Sequence, residues 1–208
     1  MEALASIIDW LKTVDAELLI LINSWNSPFI DELMWLLTGK LIWFPLYIFL
    51  FYLVYKKTTI PIFIAYALIG FALVGLADFI ATHGFKYNFG RYRPSHNLDI
   101  KHLLHYYEIK PGHYYQGGQY GFVSGHATNS TAIALYFAYI LKKYYKYILV
   151  ILLTWVMIVC YTRMYLGVHY PTDIIGGILL GTILSTLAFQ LFKWVSKRID
   201  KKKVKLPE

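Results

Sequence analysis

Five long apolar runs set the pattern of this chain. They occupy residues 41–55, with an extension back to residue 34, and residues 60–83, 124–141, 148–164 and 174–194. The apolar residues in these runs are continuous rather than periodic. A run that approaches about 20 apolar residues can cross a hydrocarbon core of about 30 Å as a helix. The pattern therefore predicts an all-α fold, a polytopic membrane helix bundle with five transmembrane helices.

The composition argues against a soluble domain. Of the 208 residues, 58% are hydrophobic and only 15% are charged. A soluble chain would have to bury all five runs in one small core, and too few polar residues would remain to cover its surface. Cys160 is the only cysteine, so no intramolecular disulfide is predicted.

Basic residues between the apolar runs predict the topology. Twelve of the 20 Lys and Arg residues fall in three clusters. The clusters are Lys56 and Lys57, then Lys142, Lys143 and Lys146, and finally Lys193, Lys197, Arg198, Lys201, Lys202, Lys203 and Lys205. Five alternating spans put all twelve on one side, which the positive-inside rule identifies as cytoplasmic. The net charge of +8 then reflects topology and attraction to anionic membrane lipids, so no nucleic-acid partner is predicted.

The chain is predicted to form a single membrane-integrated domain. Charged residues such as Asp9 and Lys12 interrupt the N-terminal apolar residues, which favours interfacial amphipathic helices. If this segment spans the membrane instead, the count becomes six and the orientation of the other five is unchanged. The start, Met1-Glu2-Ala3, has no basic region, so no removable signal peptide is expected. The predicted parts are interfacial helices in 1–33, a transmembrane core in 41–194 and a basic cytoplasmic tail in 195–208.

The longest polar stretch, residues 86–123, is predicted to be a periplasmic active-site loop. A connection of this length in a small membrane protein is either functional or disordered. Its seven tyrosines argue against disorder and suit the interface between membrane and water. Function is therefore expected on this side of the membrane.

Three polar clusters stand at the outer ends of the predicted spans, and antiparallel packing would bring them to one membrane face. They are Lys86 with Arg93-Pro94, Ser124-Gly125-His126, and the segment from Arg163 through His169 to Asp173. Three cations at one place repel one another unless an anion holds them, and guanidinium groups match phosphate oxygens. The clusters therefore predict a phosphate site.

The same clusters contain groups that handle protons. Ser124-Gly125-His126 is predicted to open a helix, where free N–H groups and the helix dipole favour a phosphate oxygen. His126 and His169 can exchange protons near neutral pH, and Asp173, four residues after His169, can orient one imidazole. This division provides a nucleophile, its orienting carboxylate and a general acid.

The three clusters resemble the motifs of the phosphatidic acid phosphatase type 2 superfamily, which are K-x6-R-P, P-S-G-H and S-R-x5-H-x3-D. Here they read Lys86-x6-Arg93-Pro94, Val123-Ser124-Gly125-His126 and Thr162-Arg163-x5-His169-x3-Asp173. The order and spacing match over roughly residues 60–180. Val123 and Thr162 replace the motif proline and serine, and neither flanking position does the chemistry in the family.

The resemblance implies hydrolysis of a lipid phosphate or lipid diphosphate, and the predicted topology places this reaction at the outer face of the inner membrane. It implies that His169 attacks phosphorus to form a phosphohistidine and that His126 protonates the leaving oxygen. The residues implied to hold the phosphoryl group are Lys86, Arg93, Ser124, Gly125 and Arg163. No metal and no cofactor are implied, because the cations can replace a charge-neutralising metal.

Single residues also have ordinary explanations. An isolated Lys86, Arg93 or Arg163 could anchor the chain at the headgroups, and Ser124 or Asp173 could cap a helix. Asp78 and His83, near the outer end of the second span, could support the site. Four further histidines have an irregular spacing that argues against a metal site. They are His96, His102, His105 and His113.

Other functions compete with that of a lipid phosphatase. A membrane-bound general phosphatase and a catalytically silent lipid-binding protein stay open as alternatives. Vanadium haloperoxidases and soluble acid phosphatases share the motifs, but the predicted spans disfavour both. A transporter would need polar groups near the bilayer midplane, whereas the polar clusters here are predicted to lie at one membrane face. The sequence does not choose among undecaprenyl diphosphate, phosphatidic acid, phosphatidylglycerol phosphate and a lipid A-type phosphate, and it does not predict an oligomeric state.

Overall fold

Helices dominate the computed structural model, which describes the backbone of residues 2–203 and the side chains of residues 6–200. The helices are α1 (Glu2–Ser24), α2 (Pro28–Thr38), α3 (Phe44–Tyr55), α4 (Ile60–Phe79), α5 (Tyr87–Phe89), α6 (Gly125–Leu141), α7 (Ile148–Tyr165) and α8 (Pro171–Lys203). Two short antiparallel strands, β1 (Glu108–Lys110) and β2 (His113–Tyr114), form a hairpin. The predicted helical membrane fold is thus confirmed.

Within the described residues, three helices are long and apolar enough to cross a membrane. They are the continuous helix Ile60–Phe89, then Ile148–Tyr165 and Pro171–Asp200. The number rises to four if Pro28–Thr38 and Leu41–Tyr55, which are bent by 69°, count as one span. With only 17 residues, α6 is shorter than these helices although it lies among them. The predicted count of five or six spans stays a prediction.

Proline sets the start of several helices. Pro28, Pro45 and Pro61 each occupy one of the first two positions of a helix, and Pro171 begins α8. The first N–H groups of a helix have no partner within it, and the fixed φ of proline suits helical geometry, so proline is well tolerated there. Such starts allow apolar segments to begin abruptly after short polar connections.

Helix α6 lies at the centre of the bundle, against α3, α4, α7 and α8. Its packing against α8 depends on small residues. A Cβ placed on Gly177 would lie 2.7 Å from the carbonyl oxygen of Ser124, and one on Gly181 would lie 2.5 Å from that of Thr128. Small residues let helix backbones approach closely inside a membrane. The Ser124 N–H donates to the Asp173 carbonyl oxygen at 3.0 Å, so the two helices begin side by side.

The first predicted span is not one straight helix. Helix α2 ends at Thr38, a 3-10 turn follows at Leu41–Trp43, and α3 then runs in a different direction. Gly39 has an extended backbone and ends α2. At this bend, Thr38 and Lys40 line the cavity described below.

The helix of the second predicted span extends beyond its apolar run, residues 60–83. After α4 the chain continues as a π-helical segment, Ile80–Lys86, and then as α5, which ends at Gly90 with φ +59°. Single π-helical turns within α-helices frequently occur at functional sites. Here the π-helical segment ends on Lys86, the first predicted phosphate ligand.

For the other predicted spans, most ends agree with the helices of the structure to within a few residues. Helix α6 begins at Gly125 with Ser124 as its N-cap, and α7 covers the predicted 148–164. Helix α8 begins three residues before residue 174 and continues through Lys203, so the first part of the predicted tail is helical. Residues 204–208 of that tail lie outside the described residues.

Helix α1 and the loop 86–123 cover the end of the bundle where α6 and α8 begin. Helix α1 packs against α7 and α8. The loop 86–123 is held by its hairpin and by a bridge between Tyr92 and Tyr120. Whether α1 lies in the interface or crosses the membrane stays a prediction.

Candidate active site

A cavity of about 410 Å³ lies where α6 and α8 begin, and we call it the central cavity. Six of the eight predicted site residues line it: Lys86, Arg93, Gly125, His126, Arg163 and His169. The other two, Ser124 and Asp173, lie behind its wall and are fully buried. The structure therefore brings together three clusters that are up to 87 residues apart in the chain, from Lys86 to Asp173.

His169 is held against a buried carboxylate. Its Nδ1 lies 3.3 Å from Asp173 Oδ2, and the Tyr170 N–H donates to the same oxygen at 3.1 Å. His169 is only 1% exposed. With Nδ1 assigned as the protonated nitrogen, Nε2 keeps its lone pair. This is the arrangement required of an imidazole nucleophile.

The surroundings of His169 favour its neutral form. Burial lowers the pKa of His169 well below its usual value, and the positive charges of Arg93 and Arg163 lower this pKa further. A neutral imidazole is the nucleophilic form, so the cations that would bind a phosphate also keep the histidine ready to attack it.

Arg91, which the sequence reasoning missed, holds the other side of Asp173. Its Nη1 donates to Asp173 Oδ1 at 2.9 Å, and its Nη2 donates to Asp15 Oδ2 at 2.5 Å. Asp15 is 2% exposed and accepts from the Thr172 N–H at 2.9 Å. The guanidinium also stacks 4.2 Å from the centre of the Tyr170 ring. Helix α1 is thereby connected through Arg91 to the carboxylate that orients His169.

Arg163 reaches the cavity from the end of α7 and is 1% exposed. Its Nη1 donates to Thr38 Oγ1, and its Nη2 donates to the Tyr115 hydroxyl at 2.9 Å. Its Nε is buried and has no partner among the described residues. A buried donor without a partner is costly and calls for an explanation. Thr38 and Tyr115 were not predicted as parts of the site.

Arg93 is fixed by backbone oxygens. Its Nε donates to the Tyr120 carbonyl oxygen at 3.1 Å, and its Nη1 donates to that of Val168 at 3.4 Å. Burial, together with the charge of Arg163, lowers the pKa of Arg93 to about 10, so it remains protonated near neutral pH. Gly117, with φ +68°, lies against this side chain, and a Cβ there would be 2.7 Å from Nη1.

The start of α6 borders the central cavity, and a helix N-terminus favours an anion. Ser124 has an extended backbone, and its Oγ accepts from the Ala127 N–H at 3.5 Å. A Cβ on Gly125 would lie 3.6 Å from Lys86 Nζ, so the absent side chain leaves room beside that ammonium group. The helix begins where the motif predicted, although Val123 replaces the motif proline.

Two of the loop histidines have polar side chains as partners. His105 Nε2 lies 2.9 Å from Asp31 Oδ2, and His96 Nδ1 lies 3.1 Å from Ser95 Oγ. No group of three or more His, Cys, Asp or Glu side chains suited to a metal occurs among the described residues. The site as described is built from cations, helix-end amides and two histidines.

Several relatives share most of this chain. A lipid A 4′-phosphatase of Porphyromonas gingivalis is 34% identical over 92% of this chain and 78% of its own length. A lipid A 4′-phosphatase of Bacteroides thetaiotaomicron is 33% identical over 84% of this chain and 75% of its own. An undecaprenyl-diphosphatase of Sulfolobus acidocaldarius is 32% identical, but over only 51% of this chain and 46% of its own.

Solved structures show the same fold. The crystal structure of a transmembrane PAP2 type phosphatidylglycerolphosphate phosphatase from Bacillus subtilis covers 89% of this chain and 87% of its own, with a TM-score of 0.65 and 22% identity. That of Aquifex aeolicus LpxE covers 84% of this chain and 93% of its own, with a TM-score of 0.54 and 24% identity. The family model of the PAP2 superfamily matches residues 62–197, more than half of the sequence, and the chain belongs to this superfamily.

Proposed function

We propose that this chain is a lipid phosphatase that hydrolyses a phosphate monoester of a glycolipid of the lipid A type. The choice of lipid rests on how much of this chain each relative covers. Both lipid A 4′-phosphatases align with more than four fifths of this chain, whereas the phosphatidylglycerophosphatase B of Bacillus subtilis aligns with 39%. Similarity over 92% and 84% of this chain extends well beyond the three motifs.

The phosphoryl group would be held by Lys86, Arg93 and Arg163 together with the first N–H groups of α6. The unpaired Nε of Arg163 supports this assignment, because a phosphate oxygen would give it the acceptor it lacks. Donors fixed before the substrate binds stabilise the charge that develops on the equatorial oxygens in the transition state. Thr38 and Tyr115 keep Arg163 in place for this role.

Two steps would complete the reaction. His169 Nε2 attacks phosphorus, the bond between phosphorus and the lipid oxygen breaks, and His126 donates a proton to that oxygen. Water then attacks the phosphohistidine, His126 takes a proton from it, and the phosphorus–nitrogen bond breaks to release inorganic phosphate. Asp173 orients His169 throughout and stabilises its developing positive charge. The residues in this scheme need no metal.

An apolar cavity beside the central cavity supports a lipid substrate. It has a volume of about 410 Å³ and lies between α3, α4 and α6. Four residues line both cavities: Phe44, Tyr47, Val74 and Ile133. A lipid whose phosphate occupies the central cavity would therefore find an apolar surface next to it for its chains. Binding energy from these chains would position the phosphate for attack.

The proposal also assigns five spans and an orientation. Helix α6 is counted as a span because it lies between α4, α7 and α8. The twelve clustered basic residues then fall on the cytoplasmic side, and the central cavity faces the periplasm or exterior of the inner membrane. A lipid phosphate in the outer leaflet would meet the site at its own depth.

Phosphate release from purified protein in one detergent tests the proposal. The substrates are a lipid A-type phosphate, phosphatidic acid, phosphatidylglycerol phosphate, undecaprenyl diphosphate and glucose 6-phosphate. We expect the highest kcat/KM for the lipid A-type phosphate and no release by the His169→Ala variant. A preference of about tenfold or more for another lipid would overturn the choice of substrate. Equal values for glucose 6-phosphate would indicate a membrane-bound general phosphatase.

A further inference from the structure

Asp78 is an acidic side chain in a cavity built for an anion. It belongs to α4, inside the candidate span Ile60–Phe89, and it lines the central cavity. Among the side chains of residues 6–200, it forms none of the ion pairs within 4.0 Å. Asp78 is exposed rather than buried, and an ionisable group within a candidate span usually serves a function. The proposed steps of phosphate hydrolysis assign no role to Asp78.

Asn129 lines the same cavity and carries a second unused acceptor. It lies three residues after His126 on α6, so the two side chains share a helix face one turn apart. Its Oδ1 is buried and has no hydrogen-bond partner among the described residues. A buried polar atom without a partner calls for an explanation, and a bound ligand would provide one.

Both acceptors lie beside the phosphate-binding residues. A Cβ built on Gly125 would be 3.6 Å from Lys86 Nζ and 3.8 Å from Asp78 Oδ1, so the ammonium and the carboxylate border the same space. A carboxylate at this place repels a second phosphate and attracts a hydrogen-bond donor. The neighbouring group of the substrate is therefore a neutral donor rather than another anion.

We propose that Asp78 and Asn129 form a subsite that accepts hydrogen bonds from a hydroxyl or amide N–H next to the phosphate of the substrate. Sugar headgroups carry such donors close to their phosphate, whereas phosphatidic acid and prenyl phosphates carry none. The subsite selects glycolipid phosphates over these lipids. It rests on the proposed phosphatase function and extends it, because it names two residues outside the three motifs as determinants of specificity.

A second role for Asp78 gives a different result. If its charge acted only on Lys86, its removal would change the hydrolysis of every phosphate monoester by the same factor. A hydrogen bond to the sugar affects only substrates that carry the donor. The ratio of kcat/KM between matched substrates therefore separates the two roles.

The experiment uses three substrates: an acylated glucosamine phosphate, its analogue with the neighbouring donors methylated, and phosphatidic acid. For the unmodified protein we expect the donor-bearing sugar to exceed the methylated analogue by about 10-fold to 100-fold, as for hydrogen bonds to a charged group. This ratio should fall towards one in Asp78→Leu and decrease partly in Asp78→Asn, which keeps one acceptor oxygen. Asn129→Leu should lower the ratio independently. Asp9→Asn, a change at an exposed residue of α1, should leave it unchanged.

Each other outcome has one meaning. An unchanged ratio in folded Asp78→Leu and Asn129→Leu overturns the subsite and leaves the phosphatase function intact. A ratio near one in the unmodified protein also overturns the subsite. If phosphatidic acid is preferred to both sugars, the glycolipid assignment and the subsite fail together. Folding is judged by a single symmetric peak in detergent, and Asp78→Asn carries the test if Asp78→Leu lacks such a peak.

Discussion

His169 combines burial, a carboxylate partner and nearby cations. Burial and the charges of Arg93 and Arg163 disfavour its protonation, while Asp173 holds the imidazole from one side. The result is a histidine that is neutral and oriented before substrate arrives. In solution an imidazole with a pKa of about 6.5 would lose much of its nucleophilic form in mildly acidic conditions.

The acid limb of the pH profile tests this state. The pKa of His169 is lowered in the folded protein, so its neutral form is present above that pKa and is lost only as the pH falls through it. We therefore expect kcat/KM to show no loss from this group near pH 6.5. The second ionisation of the substrate phosphate, near pH 6, is measured separately by phosphorus NMR and divided out. A remaining acid limb centred at about pH 6.5 or above would contradict the neutral histidine.

At the scale of single residues, the sequence predicts the parts with local motifs and misses the others. Lys86, His126 and Asp173 lie at fixed spacings at helix ends, so their convergence could be foreseen. Arg91 stands two residues before Arg93, yet its role depends on Asp15, 76 residues away. Asp15 interrupts an apolar segment, which indicates an interfacial helix as readily as a buried ion pair. Such long-range partners have no signature in one sequence.

Helix α1 contributes Asp15 to the catalytic end of the bundle. Asp15 accepts from Arg91 and from Thr172, and Arg91 donates to Asp173. The planar guanidinium makes these contacts in a fixed geometry that an ammonium group does not reproduce. Arg91 and Asp15 are thus positioning residues, which act through Asp173 on His169.

Changes to this pair should lower kcat more than they raise KM. We expect Arg91→Lys and Asp15→Asn each to reduce kcat by about 10-fold to 100-fold, the usual range for residues that orient an active-site ligand. Phosphate binding should change little, because neither residue lines the central cavity. Glu17→Gln, at an exposed position of the same helix, is the control. A rise in KM with unchanged kcat would show that the pair does not position His169.

The contact between α6 and α8 has a separate test. Gly181→Ala places a methyl group 2.5 Å from the Thr128 carbonyl oxygen, so the helices must move apart. We expect a loss of about 1–3 kcal/mol in the free energy of unfolding, measured in detergent, with reduced activity. The control is Gly75→Ala on α4, where a Cβ would meet nothing within 4 Å. Equal stability of the two variants would contradict the close packing.

At the scale of helices, apolar runs predict existence better than shape. The starts of α6 and α7 agree with the sequence because polar residues bound the runs. The bend after Thr38 and the π-helical segment that ends at Lys86 have no apolar signature, since the composition stays apolar or mixed through both. These two departures bring Thr38 and Lys86 to the cavity, so the least predictable parts of the helices serve the site.

The whole molecule has a directional charge pattern, and its topology can be measured. In a background with Cys160→Ala, an impermeant thiol reagent should label Lys110→Cys in the loop of intact cells. Lys143→Cys, between α6 and α7, should react only after lysis. Both residues are exposed, so accessibility differs only through the membrane. The reverse labelling would invert the proposed orientation.

The identity of the nucleophile tests the account most directly. Purified protein is mixed with a radiolabelled lipid phosphate, quenched within milliseconds, and the labelled peptide is mapped. We predict label on His169 that is stable in base and lost in acid, as expected of a phosphoramidate. It should be absent from His169→Ala and present in His102→Ala, a change at an exposed loop histidine. Label on another residue, or full turnover by His169→Ala, would contradict the proposed mechanism.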